Sequence, residues 1–200
     1  MRLFLTVLCM AIVVTVAHAQ SADPPTFSVG DTWTRSNGVT LTVTKIDASG
    51  TTIQGFFSAC RTCLVLLDKD FQPVDVTDAS GKPLDPNTKR GLPLGKDWRF
   101  FDWPLQTGKT WTASGYIMSR GGATFPASID IRVKAYEDVK TKAGTFKAYR
   151  MEQAWQGRNQ DRAFGWISTI WYAPDAKAFV KFETNDSNQK EWELVSFSLK

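Results

Sequence analysis

Between Ile129 and Val139 the apolar side chains fall mostly on odd positions (Ile129, Ile131, Val133, Ala135, Val139) and the charged ones on even positions (Asp130, Arg132, Lys134, Asp138). A period of two puts the two sets on opposite faces of a half-buried strand. The run Thr145 to Trp155 alternates as well, with Tyr149, Met151 and Trp155 on one phase and Lys147 as its odd member. Lys142-Ala143-Gly144 joins the two runs, and the length of that turn decides which faces coincide. A two-residue turn at Ala143-Gly144 would set Ile131 beside Gln156 and waste the aromatic face. A three-residue loop with Gly144 at positive φ sets Ile131 beside Trp155, Ala135 beside Met151 and Glu137 beside Tyr149, and this is the register expected.

Short runs rich in Thr, Val and Ile predict further strands at Thr32 to Ser36, Val39 to Ile46 and Thr51 to Phe57, with Asn37-Gly38 and Ser49-Gly50 as hairpin turns. The pattern dissolves from Thr77 to Asp97, where three glycines and three prolines predict a long loop. Beyond it, Trp98 to Trp103 reads as a dense aromatic strand stopped by Pro104, followed by Thr110 to Met118 and the organising hairpin. Phe164 to Tyr172 is apolar on both phases, as in a strand covered on both sides. Strands at Phe179 to Thr184 and Trp192 to Leu199 complete the set, the last with a phase change between Leu194 and Val195 that marks a bulge. No segment keeps a 3.6-residue period for ten residues. The expectation is an all-β chain: an antiparallel meander forming a curved sheet or partly open barrel. Its organisation is a smaller N-terminal β subdomain at 26–77, a long loop or linker at 78–97, and a C-terminal sheet domain at 98–200.

One motif recurs. Gly30-Asp31-Thr32-Trp33-Thr34 and Gly108-Lys109-Thr110-Trp111-Thr112, with a looser copy at Gly95-Lys96-Asp97-Trp98, each put glycine in a turn and tryptophan on the following strand. A duplicated ligand site is one reading; recurrent hairpin-entry geometry is the simpler one.

Residues 1–19 change the chemistry available. Arg2, the apolar stretch Leu3 to Val16 and Ala17-His18-Ala19 make a signal peptide, its apolar core shorter than the roughly 20 residues of a spanning helix. A periplasmic or secreted protein with no integral membrane segment after cleavage is expected. Cleavage would remove His18, the one histidine, and with it any Ser-His-Asp triad, Cys-His pair or histidine-dependent zinc site. Without Arg2 there are 23 basic against 20 acidic residues, a net +3, interspersed rather than clustered, so no nucleic-acid partner is expected.

Cys60 and Cys63 are the most specific local signal. In an oxidising compartment they should form a disulfide. A redox role would need a helix N-terminus to lower the thiol pKa, and the flanks look like strands. A structural staple, closing a four-residue loop, contributes about 2 kcal/mol on the chain-entropy model. Glu137 lies on the apolar phase: either a buried acid with a raised pKa, or a carboxylate at the sheet margin bonded to a tyrosine or to Arg150. Asp97, Asp102, Glu137, Glu152 and Glu183 are candidate members of a glycosidase pair, but no spacing selects two of them. Trp98, Phe100, Phe101, Trp103, Trp155 and Trp171 could line an apolar groove, or fill the core. No catalytic residue, cofactor or metal set is assigned.

Tyr136-Glu137-Asp138-Val139, Ala143-Gly144-Thr145-Phe146-Lys147, Trp171-Tyr172-Ala173-Pro174 and Val180-Lys181 together resemble a family of uncharacterised bacterial secreted or envelope β-sheet proteins. The resemblance covers residues 98–200, with Lys142 where that family often opens the loop with proline. It implies a curved antiparallel sheet and an exported location, and carries no catalytic residues. The function expected is therefore a non-enzymatic envelope module that binds an apolar small molecule or an envelope protein on its curved sheet. A thiol-disulfide protein using Cys60 and Cys63, or a carboxylate-dependent carbohydrate-active enzyme, are the alternatives.

Overall fold

Alternation of β-branched or aromatic with polar residues builds thirteen strands among the described residues. They are β1 (Ser21–Ala22), β2 (Thr32–Arg35), β3 (Thr40–Asp47), β4 (Gly50–Gln54), β5 (Leu64–Leu67), β6 (Pro73–Thr77), β7 (Leu105–Gln106), β8 (Thr110–Met118), β9 (Thr124–Thr141), β10 (Gly144–Asn159), β11 (Arg162–Ala173), β12 (Ala178–Thr184) and β13 (Trp192–Ser198). The structure is a computed structural model that describes residues 20–57, 60–84, 98–118, 123–159 and 162–200. The expected signal peptide and most of the expected loop, positions 85–97, lie outside the described residues.

Eleven strands form one antiparallel sheet in the order β6-β5-β4-β3-β2-β13-β12-β11-β10-β9-β8, and β1 pairs with β7 in a separate two-stranded sheet. The large sheet is curved and open, with β6 and β8 at its ends. The last strand, β13, inserts between β2 and β12, so it closes the sheet between strands from early and late in the chain. Its register shifts between Leu194 and Ser196, where the sequence marks a bulge.

The β9–β10 register differs from the one expected. Thr141 pairs with Gly144 and Tyr136 with Tyr149, so the turn is Lys142-Ala143 alone. Thr141 Oγ1 and the Leu194 carbonyl both accept from the Ala143 amide, which fixes that short turn. A bulge between Arg150 and Met151 then changes the phase, setting Val133 opposite Met151 and Ile129 opposite Trp155. The extra residue returns Ile129, Ile131 and Val133 to the inner face, where all three are buried.

Trp98 to Trp103 is not a strand. Gln72 takes the place of a partner strand: its Oε1 accepts from the Phe100 amide at 2.7 Å and its Nε2 donates to the Phe101 carbonyl at 2.9 Å. Gln72 at Phe100 and Phe101, the Trp111 indole at Arg99 O and the Lys109 ammonium at Asp102 O bond the segment's backbone with side chains, so it needs no ladder. It lies against the inner face as a plug, with Trp98 and Phe101 buried. Sequence reading also passes over β6, which opens on Pro73.

The repeated Gly-x-Thr-Trp motif gives the same backbone geometry twice. The Gly30 amide donates to Val43 O, and the Val43 amide to Asp31 O; Gly108 and Lys109 make the matching pair of bonds with Val133. The indoles fasten different parts, Trp33 to Ala176 O and Trp111 to Arg99 O. This is hairpin-entry geometry.

Candidate functional site

The inner face of β8 to β12 is filled by the chain itself. Trp98 stacks on Phe100 at 5.9 Å and meets Trp155 at the same distance; Trp155 in turn stacks on Trp166 at 5.1 Å. A second group joins Phe101 to Trp103 at 4.9 Å, to Phe179 at 5.3 Å and to Tyr172 at 6.1 Å. Gly115 leaves the space that the Trp98 indole occupies: a Cβ there would lie 2.6 Å from Nε1. Trp171, on the opposite phase of β11, is buried and donates its indole N–H to Glu137 at 3.0 Å. The six aromatics singled out in the sequence are thus brought together in part: Trp98, Phe100 and Trp155 in one cluster, Phe101 and Trp103 in another, Trp171 apart.

Glu137 sits at the sheet margin, with 38% of its side chain exposed and the Arg150 Nε at 3.2 Å. It is therefore not a buried acid: the β9–β10 register places it opposite Ala148, and the tryptophan and arginine hold it there. The other acids considered as a catalytic pair are each beside a cation: Asp102 with Lys109 and Arg99, Glu152 with Lys134, Glu183 with Lys181. Asp97 lies outside the described residues. Cys60 and Cys63 form a disulfide across a turn, with Cα atoms 5.4 Å apart and no helix at either cysteine. The Gly55 amide donates to Cys63 O, so the turn is anchored to the end of β4 beside Phe56.

A half-open cavity lies elsewhere, over β3 to β5. A cavity of about 210 Å³ is walled by Pro25, Phe27, Ile46, Leu67 and Phe71, with Thr51, Asp68 and Lys69 at its polar side. Phe27 and Phe71, 5.5 Å apart, separate it from a crevice of about 20 Å³. Phe71 holds its ring there from a turn in which its φ is 65°, a left-handed conformation uncommon for a bulky residue.

Arg35 lines that inner crevice. In Thr32-Trp33-Thr34-Arg35 the pleat sends Trp33 and Arg35 inward together, and Arg35 is only 7% exposed. Its guanidinium lies 3.9 Å over the Trp192 ring, which stacks on Phe182. Burial pushes its pKa down to about 9, which leaves it charged at neutral pH. Sequence reading missed Arg35, although its phase, shared with Trp33, was the available signal.

The same neighbourhood shows how a buried charge is ordinarily satisfied. Asp31, 0% exposed, accepts from the Ser28 amide at 2.9 Å and the Lys200 amide at 2.8 Å, with the Lys177 ammonium 3.7 Å away. It ties the N-terminal segment to the C-terminus.

No protein-family model matches the sequence, and no curated protein does. Solved structures are similar at low identity. A Parabacteroides distasonis protein named as a lipoprotein is 13% identical, covering 90% of this chain and 100% of its own, with a TM-score of 0.48. A Bacteroides fragilis protein named as exported, with a YmcC-like fold, is 15% identical over 88% of this chain and 99% of its own, TM-score 0.44. The hypothetical lipoprotein YmcC of Escherichia coli is 8% identical over 90% of each chain, TM-score 0.44.

Proposed function

We propose that this is an exported, non-catalytic binding protein that holds an apolar ligand in the cavity beneath Phe27 and Phe71. Export rests on the leader read in residues 1–19 and on a disulfide of the kind that persists in oxidising compartments. The observation that carries the binding role is the 210 Å³ cavity with aromatic and aliphatic walls, beside an inner sheet face that the chain has already filled. Binding pockets are mostly apolar concavities with a few placed polar groups. This one falls below the roughly 300 Å³ at which typical pockets begin, a size suited to a single hydrocarbon chain rather than a ring system.

Titration of the purified protein with an uncharged chain, 1-dodecanol, tests the reading. One saturable site is expected, at least tenfold weaker in Ile46→Asp, a change at a 43% exposed wall residue that the fold tolerates. Absence of saturable binding, or equal binding by the variant, would remove the cavity as the site.

A further inference from the structure

We infer that Arg35 is the seat for the ligand's head group, so that the protein takes single-chain anionic amphiphiles, carboxylate or phosphate, rather than neutral apolar molecules. The inference rests on the cavity reading above and narrows it to a chemical class.

Three observations converge on Arg35. First, the fold buries most of a cation without supplying its counterion: among the described residues no carboxylate lies within ion-pair distance and its guanidinium donates no hydrogen bond, so the little contact its N–H edge keeps is with solvent. Buried guanidinium groups are ordinarily paired, because an uncompensated charge is strongly destabilising. Four residues away along the chain, Asp31 receives two amides and an ammonium, so the fold does satisfy buried charges in this region. Second, Trp192 covers the flat face of the guanidinium. A cation–π contact of this kind offsets part of the desolvation but leaves the N–H edge, which is the part that grips a carboxylate or phosphate in bidentate fashion. Third, Arg35 lines the crevice that shares Phe27 and Phe71 with the larger cavity. A head group on Arg35 and a chain in the cavity are therefore separated by one pair of rings.

The crevice, at about 20 Å³, has room for about one water. A head group must displace the Phe27–Phe71 pair, and both rings sit on irregular segments outside the strands: Phe27 in the lead-in to β2, Phe71 in the turn between β5 and β6. Lys177 also lines the crevice, but its ammonium is held beside Asp31, and Lys69 at the polar side of the cavity is paired with Asp70, which leaves Arg35 as the cation without a carboxylate partner.

The experiment compares dodecanoate, dodecyl phosphate and 1-dodecanol on the intact protein and on Arg35→Met and Arg35→Gln. At least one anion is expected to bind ten times or more tighter than the alcohol, and which one does so identifies the head group. Both variants should lose the anion preference, to a ratio near one, whatever their affinity for the alcohol. Equal binding of all three ligands by the native protein overturns the role of Arg35 while leaving the cavity standing, as does a preference that survives in either variant. Failure of all three to bind overturns the cavity itself. A native anion-to-alcohol ratio near one overturns the role of Arg35 even where a variant does not fold.

Discussion

Two inner surfaces of one sheet are treated differently by the same chain. Over β8 to β12 the protein supplies its own occupant, Trp98 to Trp103, seated against Trp155, Tyr172 and Phe179. Over β3 to β5 it leaves a cavity, and Arg35 lines the crevice on the other side of the Phe27–Phe71 wall. Each surface also holds an N–H donor that no protein group accepts from: on the first the indole Nε1 of Trp98, shut off from solvent, and on the second the guanidinium of Arg35, in a largely buried side chain whose N–H edge keeps some contact with water. They are not equivalent. An unpaired neutral donor costs about 1 to 3 kcal/mol, which the burial of a whole indole more than offsets, whereas an unpaired buried charge costs considerably more. The first is a by-product of dense packing; the second asks for a partner of opposite charge.

The largest effect that bears on this contrast is expected at the plug. Trp98→Ala should lower unfolding free energy by about 3 to 5 kcal/mol, since a fully buried indole is lost from a close-packed site. Gly115→Ala should cost about 1 to 3 kcal/mol by driving a methyl into that indole. In the Trp98→Ala background the same glycine change should cost much less, because its obstacle is gone. Denaturant titration of the two single variants and the double variant measures the coupling. Additive losses would mean that Trp98 and Gly115 do not form one packing unit.

The contrast was only partly legible in the sequence. Alternation assigns one face to Ile129, Ile131 and Val133 correctly, because a half-buried strand has no other way to bury its branched side chains, but the bulge puts Ala135 and Val139, opposite Arg150 and Phe146, on the other face. The pairing of β9 with β10 was not legible, since neither the Lys142-Ala143 turn nor the bulge at Arg150 leaves a periodic mark. Trp98 to Trp103 was misread for a related reason. Aromatic density signals burial, but whether the backbone joins a ladder depends on Gln72, some thirty positions earlier. Arg35 was legible in phase and overlooked in meaning: a cation on the inward side of Thr-Trp-Thr-Arg breaks the pattern, and breaks of that kind concentrate at functional sites.

A second, smaller effect separates the two surfaces by pH. Burial raises the Tyr172 hydroxyl well above its ordinary value of about 10. The sign follows from linkage: below pH 10 the phenol is neutral in both states and its contribution is intact. Above pH 10 the unfolded chain ionises while the folded one resists, so stability falls as pH rises. At pH 11 the loss is about 1.4 kcal/mol, one unit past the unfolded value. Tyr172→Phe should remove this share of the alkaline limb and leave that of Tyr136 and Tyr149, whose hydroxyls burial also raises. Because Tyr172 packs on Phe101 and Trp103, the change belongs to the filled surface, and 1-dodecanol binding at pH 8 should be unaltered. A profile that falls equally in Tyr172→Phe would assign the alkaline limb to other groups.

The smallest effect has the opposite sign. Replacing a residue buried to the extent of Arg35 ordinarily destabilises a protein, but here the side chain lost is an uncompensated charge. Arg35→Met keeps most of the apolar volume of the stem, removes the desolvation penalty and forfeits a contact with Trp192 worth roughly 0.5 to 2 kcal/mol. Exchanging buried ions for apolar residues of similar volume is neutral to stabilising by about 1 to 4 kcal/mol, so the net change expected in ligand-free protein is a gain of about 1 kcal/mol. Thermal unfolding should move upward for Arg35→Met alone, and addition of dodecanoate should narrow or reverse the gap, since only the native protein gains from a bound anion. A clear loss of stability in the ligand-free variant would show that Trp192 and the crevice walls already satisfy Arg35. The cation would then belong with Trp98, as a group held by packing.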